Sequence, residues 1–408
     1  MSILKTGIQL TKRSFLVSTL IFFSFFSWYF AVSPIVLRHI VGPSAETYQI
    51  VSASFNFVIA TTFFLSSFFI HRFNKILLIY EYFIVTSMLS ILLLFISSSV
   101  LRLIIFFGAG IFFSLGQLSF FTYFWSLAVS VEKGRASGLM GFFALPIAYF
   151  VSGMAEALDF FTIVMLGVII SSGTLAIKLL RKEKKDLLST KKNWQGPHPE
   201  KKTIFLYSLP WMLFSLINVT LARNISLSIL QNIPSSLYMV LLVLQITASG
   251  FGALGGGIIA DLFGRRLSLG FALTLYGISS AIGGFFISYE LLYFMYFVNG
   301  LSWGILMVMY FFVIWGDLAN KESCSKMYSI GLLISYLAMG IGLLLSHQIS
   351  RIPLIVSSLL SCVLIFLSNI PLVLAPELLS SDFRERIRLK LYINVIKRIR
   401  GKQSQNQG

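Results

Sequence analysis

The chain has 408 residues, of which 57% are hydrophobic and only 12% charged, and its mean hydropathy is +0.86. A water-soluble domain of this length would not carry so apolar a composition, so soluble enzymes and soluble binding modules are excluded and a polytopic membrane protein is indicated. The net charge of +17 does not indicate a nucleic-acid partner, because Lys and Arg cluster in short loops between apolar runs rather than in one basic domain.

A hydrocarbon core about 30 Å thick needs about 20 apolar residues per helix. About twelve segments meet that test. The first, Ser14 to Leu37, is too long for a signal peptide and lacks a small-residue cleavage site, so it reads as a transmembrane helix. Thr47 to Ile70, Ile76 to Ile96, Leu101 to Val129, Ala136 to Met154 and Phe160 to Leu180 complete a first set of six. Arg181 to Lys202 then interrupts the pattern with eight basic residues and with Gly196, Pro197 and Pro199. This stretch can neither sit in hydrocarbon nor fold alone, and reads as a linker between two membrane-embedded halves. The second half offers Ile204 to Leu230, Leu237 to Ala260, Leu267 to Ser288, Leu291 to Ile314, Met327 to Leu345 and Ile352 to Leu374. The organisation expected is a first bundle over 1–180, a linker over 181–202, a second bundle over 203–376 and a tail over 377–408.

Short loops rich in Lys and Arg stay in the cytoplasm. One alternating set carries Lys12 and Arg13, Arg72 and Lys75, Lys133 and Arg135, the linker, Arg265 and Arg266, and Lys321 and Lys326. The other set is poor in base, with Arg38 and Glu46, Glu156 and Asp159, Glu290, and Arg351 beside His347. Both termini are therefore expected in the cytoplasm of a cell whose plasma membrane holds the chain. In the tail, Phe383, Ile387, Leu391, Val395 and Ile399 recur every fourth residue among Arg and Lys. That stripe suits an interfacial helix on the anionic inner leaflet, with a solvated charged helix as the alternative.

The halves echo one another at an offset of 190 residues: Phe15, Leu16 and Ser18 recur as Phe205, Leu206 and Ser208, Gly110 as Gly300 and Gly141 as Gly331. Chance accounts for some identities in so biased a composition, but each pair falls at the same topological place. The strongest local motif is Gly257 to Arg266, GIIADLFGRR, at the turn between the eighth and ninth helices. Gly257 lets helices approach closely, Gly264 permits a turn with positive φ, and Asp261 can pair with neighbouring base.

At this point the chain resembles the major facilitator superfamily of secondary transporters, whose signature is G-x-x-x-D-[RK]-x-G-R-[RK]. Leu262 departs from it at a position that is usually basic. The first-half copy keeps Arg72 and Lys75 but has His71 for the acid and Asn74 for the turn glycine. Further echoes are Glu132 to Gly138, EKGRASG, after the fourth helix and Pro376-Glu377 after the twelfth. The resemblance covers nearly the whole chain and implies an all-α fold of two pseudo-symmetric six-helix bundles. It assigns Gly257, Asp261, Gly264, Arg265, Arg266, Arg72 and Lys75 to gating.

In that family the solute cavity lies between the halves near the midplane, lined by helices 1, 2, 4, 5, 7, 8, 10 and 11. At 1.5 Å per residue, Asn56, Gln245, Asn299 and Tyr336 fall near mid-depth, with Trp28, Tyr29, Gln117, Asn218 and Trp303 a turn or two away. Amides and aromatic rings there suit a polar organic solute, although for each residue an interhelical bond is the competing role. Arg223 is the basic side chain that can face the outer cavity, where it meets an anion or snorkels. Glu81 either braces the third helix or carries a coupled proton.

The function expected is transport of a small polar solute such as a sugar or organic acid, by a symporter or facilitator that alternates access; proton-driven efflux of amphiphilic drugs is the alternative. Enzymatic activity is not expected, since His39, His71, His198 and His347 lie in or beside loops without an HExxH or paired-Asp motif. Cys324, in a polar loop, and Cys362, in an apolar run, form neither a metal-ligand spacing nor a disulfide framework. Neither cofactor nor metal is expected. The partners expected are the solute, a coupled proton and membrane lipids, with the chain acting as a monomer.

Overall fold

The computed structural model describes residues 11–42, 44–128, 132–155, 159–172, 200–284, 288–320 and 323–379. The expected linker, up to residue 199, and the amphipathic tail beyond residue 379 lie outside these. Twelve long helical segments run through the described residues: α1 (Lys12–Val41), α2 (Ala45–Phe69), α3 (Lys75–Phe95), α4 (Ser99–Leu127), α5 (Lys133–Ala155), α6 (Phe160–Ser172), α7 (Lys201–Asn232), α8 (Ser235–Phe263), α9 (Arg265–Gly283), α10 (Tyr289–Asp317), α11 (Cys324–Ile349) and α12 (Leu354–Leu374). Nine of them are long and apolar enough to cross a membrane by length and composition. The chain is an all-α multi-pass membrane protein.

Helix starts follow local capping chemistry. Ser44, Asn74, Ser98 and Ser288 each accept a bond from a backbone N–H of the first turn that follows, at α2, α3, α4 and α10. Such short polar side chains satisfy amide groups that a helix leaves open at its start. Gly264, at φ +116°, reverses the chain between α8 and α9, a backbone that L side chains avoid.

The polarity is that of a protein in lipid. Large apolar side chains cover the outside, including Phe95, Val100 and Val373, while Ser18, Ser114, Ser215 and Ser335 are buried. Helices in hydrocarbon gain little from burying leucine, so small residues and polar side chains hold them together. Along the seam of α8 and α10, a Cβ at Gly252, Gly300 or Gly304 would meet the carbonyls of Leu301, Gln245 and Ser249 respectively.

Two long seams join the halves, α5 against α8 and α2 against α11. Aromatic rings fill the space between them. Phe22 packs edge-on to Phe312 at 4.8 Å, Phe30 lies 6.0 Å from Trp303, and Tyr29 meets Tyr336 at 5.1 Å.

The first helix of each half is irregular at an equivalent depth. In α1, residues Trp28–Val32 widen into a π turn and Ser33 N–H reaches back to the Trp28 carbonyl. Pro34 follows immediately; its ring lacks an N–H and crowds the carbonyl four residues earlier, which displaces the ladder. In α7 the helix breaks at Thr220 between Lys201–Val219 and Leu221–Asn232. There the Thr220 hydroxyl donates to the Leu216 carbonyl at 2.7 Å, a back-bond that bends helices. The 190-residue offset carries Trp28–Val32 onto residues 218–222, which bracket Thr220.

Candidate functional site

Two sites emerge, a buried charge lattice at the end of the bundle where α8 turns into α9, and a polar cavity deeper among α7, α8, α9 and α10. The lattice centres on Asp261, whose side chain is fully buried. Its Oδ1 accepts from Gly134 N at 3.1 Å and from Arg265 Nη1 at 2.5 Å, and its Oδ2 from Arg135 N at 2.9 Å and Arg135 Nε at 3.1 Å. Arg265 in turn donates Nε to Asp317 Oδ2 at 2.8 Å, and Lys133 Nζ lies 3.2 Å from Asp317 Oδ1. Lys133 and Arg135 begin α5 in the first half; Asp261, Arg265 and Asp317 belong to the second.

Two carboxylates therefore tie three cations and the first-turn amides of α5, which have no partner within their own helix, into one unit that bridges the halves. Buried carboxylates without such donors would be costly; here charge-assisted bonds and the positive end of a helix offset the loss of water. Gly257 makes the approach possible, since a Cβ there would run into the Gly134 carbonyl. Glu377 seals the outer edge by accepting from Arg265 N at 2.8 Å and Arg266 N at 3.2 Å, which caps α9. Arg266 also donates to the Val373 and Ala375 carbonyls, each at 3.2 Å.

Of the residues expected to gate, Gly257, Asp261, Gly264, Arg265 and Arg266 meet in this lattice. Arg72 and Lys75 do not join it. Arg72 is exposed and Lys75 half-buried, at the start of α3. Cys324, expected in a polar loop, begins α11 and is buried, because the helix extends one turn further than the apolar run. Sequence reasoning noticed Lys133, Arg135 and Glu377 as echoes without pairing them, and passed over Asp317. The signal for Asp317 was there, since an acid at the end of a long apolar run needs a cation.

The cavity has a volume of about 220 Å³ and is walled by Asn218, Arg223, Gln245, Tyr276, Ser279, Met295, Tyr296 and Asn299, among others. Asn218 precedes the break in α7 and Arg223 lies in the first turn after it. Asn218 Oδ1 accepts from Tyr276 Oη at 2.9 Å and from Trp303 Nε1 at 3.1 Å. Gln245 Nε2 donates to Asn299 Oδ1 at 2.6 Å, and Asn299 Nδ2 to Ser279 Oγ at 3.2 Å. The amides are thus held in fixed orientations by neighbours on three different helices. Asn224, one turn away, is turned elsewhere: its Nδ2 donates to the Ser357 hydroxyl at 2.9 Å and to two carbonyls.

This cavity lies within the second half rather than between the halves. Asn218, Arg223, Gln245 and Asn299 line it and Trp303 backs it through Asn218. Trp28, Asn56, Gln117 and Tyr336 stand apart, bonded or stacked between helices. Trp28 stacks on Phe113 at 5.1 Å, Asn56 accepts from Tyr29 Oη at 2.5 Å, and Gln117 accepts from Tyr336 Oη at 3.2 Å. The resemblance excluded α9 from the cavity, so Tyr276 and Ser279 were missed, although Tyr276, Ser279 and Ser280 form a polar stripe at helical spacing. Glu81 is half-exposed on α3, which packs chiefly on α4 and α6, away from the cavity. Among the described residues, no group of three or more His, Cys, Asp or Glu is placed to hold a metal ion.

No protein-family model matches the chain, and no curated protein matches it in sequence. Solved structures do. The crystal structure of the human organic anion transporter MFSD10 (TETRAN) superposes with a TM-score of 0.71 at 11% identity, covering 88% of this chain and 99% of that one. A bacterial homologue of the iron transporter ferroportin, in an outward-facing state, gives a TM-score of 0.66 at 16% identity over 88% and 98%. At these identities the likeness is one of fold, and the fold of this chain is that of the major facilitator superfamily.

Proposed function

We propose that this chain, with its major facilitator fold, is a secondary transporter that moves a small polar organic solute by alternating access. The observation that carries the reading is the cavity of α7 to α10: oriented amides, hydroxyls and one guanidinium gathered beside a broken helix inside an apolar bundle. Polar groups are costly at that depth unless they meet a ligand or one another. Its volume of about 220 Å³ is below the range of about 300–1,000 Å³ that holds drug-sized ligands. That favours a small metabolite over an amphiphilic drug.

The charge lattice then serves as the latch of one gate. Its base-rich end faces the cytoplasm by the loop-charge argument, both termini lie on that side, and the chain resides in the cell membrane. With the latch shut, the solute enters from the outer side. The tail rests on the anionic inner leaflet, and the chain works as a monomer without cofactor. Counterflow into proteoliposomes, with labelled solutes from a metabolite panel, tests the function. Accumulation above protein-free liposomes for one of them is expected; none across the panel overturns transport.

A further inference from the structure

Among the described residues, the cavity wall gathers hydrogen-bond donors and one cation, and no acid lines it. Asn218 Oδ1 already takes two donors, which leaves its Nδ2 facing out with no partner among the described residues. Tyr296, 3% exposed, has a hydroxyl without a hydrogen bond. Arg223 lines the same wall, and among the described residues it makes no ion pair and no acid lines the cavity. It also sits in the first turn of the Leu221–Asn232 segment, a helix start whose dipole is positive toward the cavity. The acceptors that face them are neutral, Gln245 Oε1 and the serine and tyrosine hydroxyls of the wall.

We propose that the cavity binds a small carboxylate through Arg223, and that the chain therefore exchanges one organic anion for another. This rests on the transport reading and sharpens it. A planar guanidinium engages a carboxylate by two parallel bonds, and Asn218 Nδ2 and the Tyr296 hydroxyl complete its ring of donors. Exchange follows from the charge. Closing the outer side around an empty cavity would strand an unpaired guanidinium away from water, whereas a bound carboxylate neutralises it. The loaded form crosses between states and the empty form does not, so each anion that leaves must be replaced.

The probes are labelled lactate, succinate and 2-oxoglutarate, with glucose as a neutral control, and liposomes loaded with the same anion or with buffer alone. Uptake of at least one carboxylate is expected to rise about tenfold or more with anion inside, and glucose to be excluded. Arg223→Lys keeps charge but loses the fork, and weakens apparent affinity roughly tenfold while exchange persists; Arg223→Gln abolishes exchange. Equal uptake into buffer-loaded liposomes overturns exchange, and wild-type affinity in both variants overturns the anion site.

Thermal melting of the full chain in detergent separates the site from transport. A carboxylate of the panel should raise the melting temperature of wild type and not of Arg223→Gln, whose unliganded melting should match wild type. If no labelled solute accumulates but this shift persists, transport fails and the anion site stands. If no carboxylate shifts the wild type, the anion site is overturned even where glucose is carried.

Discussion

Asp261 shows how much one side chain can organise when it is stripped of water. Four donors from both halves converge on its two oxygens, so replacing it with Asn removes the charge that holds Arg135 and Arg265 together. Breaking a buried ion pair from one side costs about 3–5 kcal/mol, so Asp261→Asn should melt at a lower temperature. The same change should free the α5 end: Ser137, fully buried just beyond it, should react faster with maleimide when changed to Cys in the Asp261→Asn background. Turnover should fall while equilibrium affinity for solute holds, and the opposite pattern would move Asp261 from gate to solute site. Gly264 is a second single-residue test. At φ +116° an L side chain is strained, and a Cβ would strike the Glu377 carboxylate. Gly264→Ala should therefore destabilise by about 1–3 kcal/mol, measured by thermal melting.

Among the elements, the pairing of α8 with α10 sets the shape of the cavity. Gly252, Gly300 and Gly304 let the two backbones approach, and that approach places Gln245 beside Asn299 at 2.6 Å. A methyl group at Gly300 would press on the Gln245 carbonyl itself. Gly300→Ala should accordingly weaken solute binding, read by ligand-induced melting shift, more than Gly304→Ala, which pushes the helices apart one turn further along. Equal effects would mean that the seam matters only for stability. The matched irregularities of α1 and α7 belong to this scale too. A π turn forced by Pro34 and a break bent by Thr220 weaken the two helices at equivalent depths, which suits elements that flex when the gates change places.

Over the whole molecule the halves are alike in fold and unlike in chemistry. The second half keeps the acid and the base of its turn and owns the cavity; the first carries His71 and Asn74 at the matching places, and its Lys75 stays outside the charge lattice. The α5–α8 seam is thus closed by an ionic lattice, while the α2–α11 seam closes through rings and small residues, with Gly340 against Phe57 and Ser329 donating to the Phe63 carbonyl. The halves need to be joined but not by a particular sequence. Replacing Lys184 to Pro199 with a Gly/Ser segment of equal length should preserve flux in a well-expressed variant, measured by the same counterflow; loss of flux would give the linker a further role.

Helix number, the two-half division and the motif turn were legible from sequence because each depends on local chemistry. An apolar run of about 20 residues must be a helix in lipid, since its amides have no other partners, and Ser44, Asn74, Ser98 and Ser288 cap helices through neighbours two or three residues away. Arg223 was likewise legible as a cation in an apolar segment that needs an explanation. Asp317, by contrast, gains its role from Lys133 and Arg265, 184 and 52 residues distant in the chain. Which amides face the cavity was equally beyond sequence. Asn56 and Gln117 match Asn218 and Gln245 in type and near-equal depth, and both pairs bond across helices, yet only the second also borders open space. Depth follows from counting residues along one helix; the direction a side chain faces follows from how the helices pack together, and only the tertiary structure decides that.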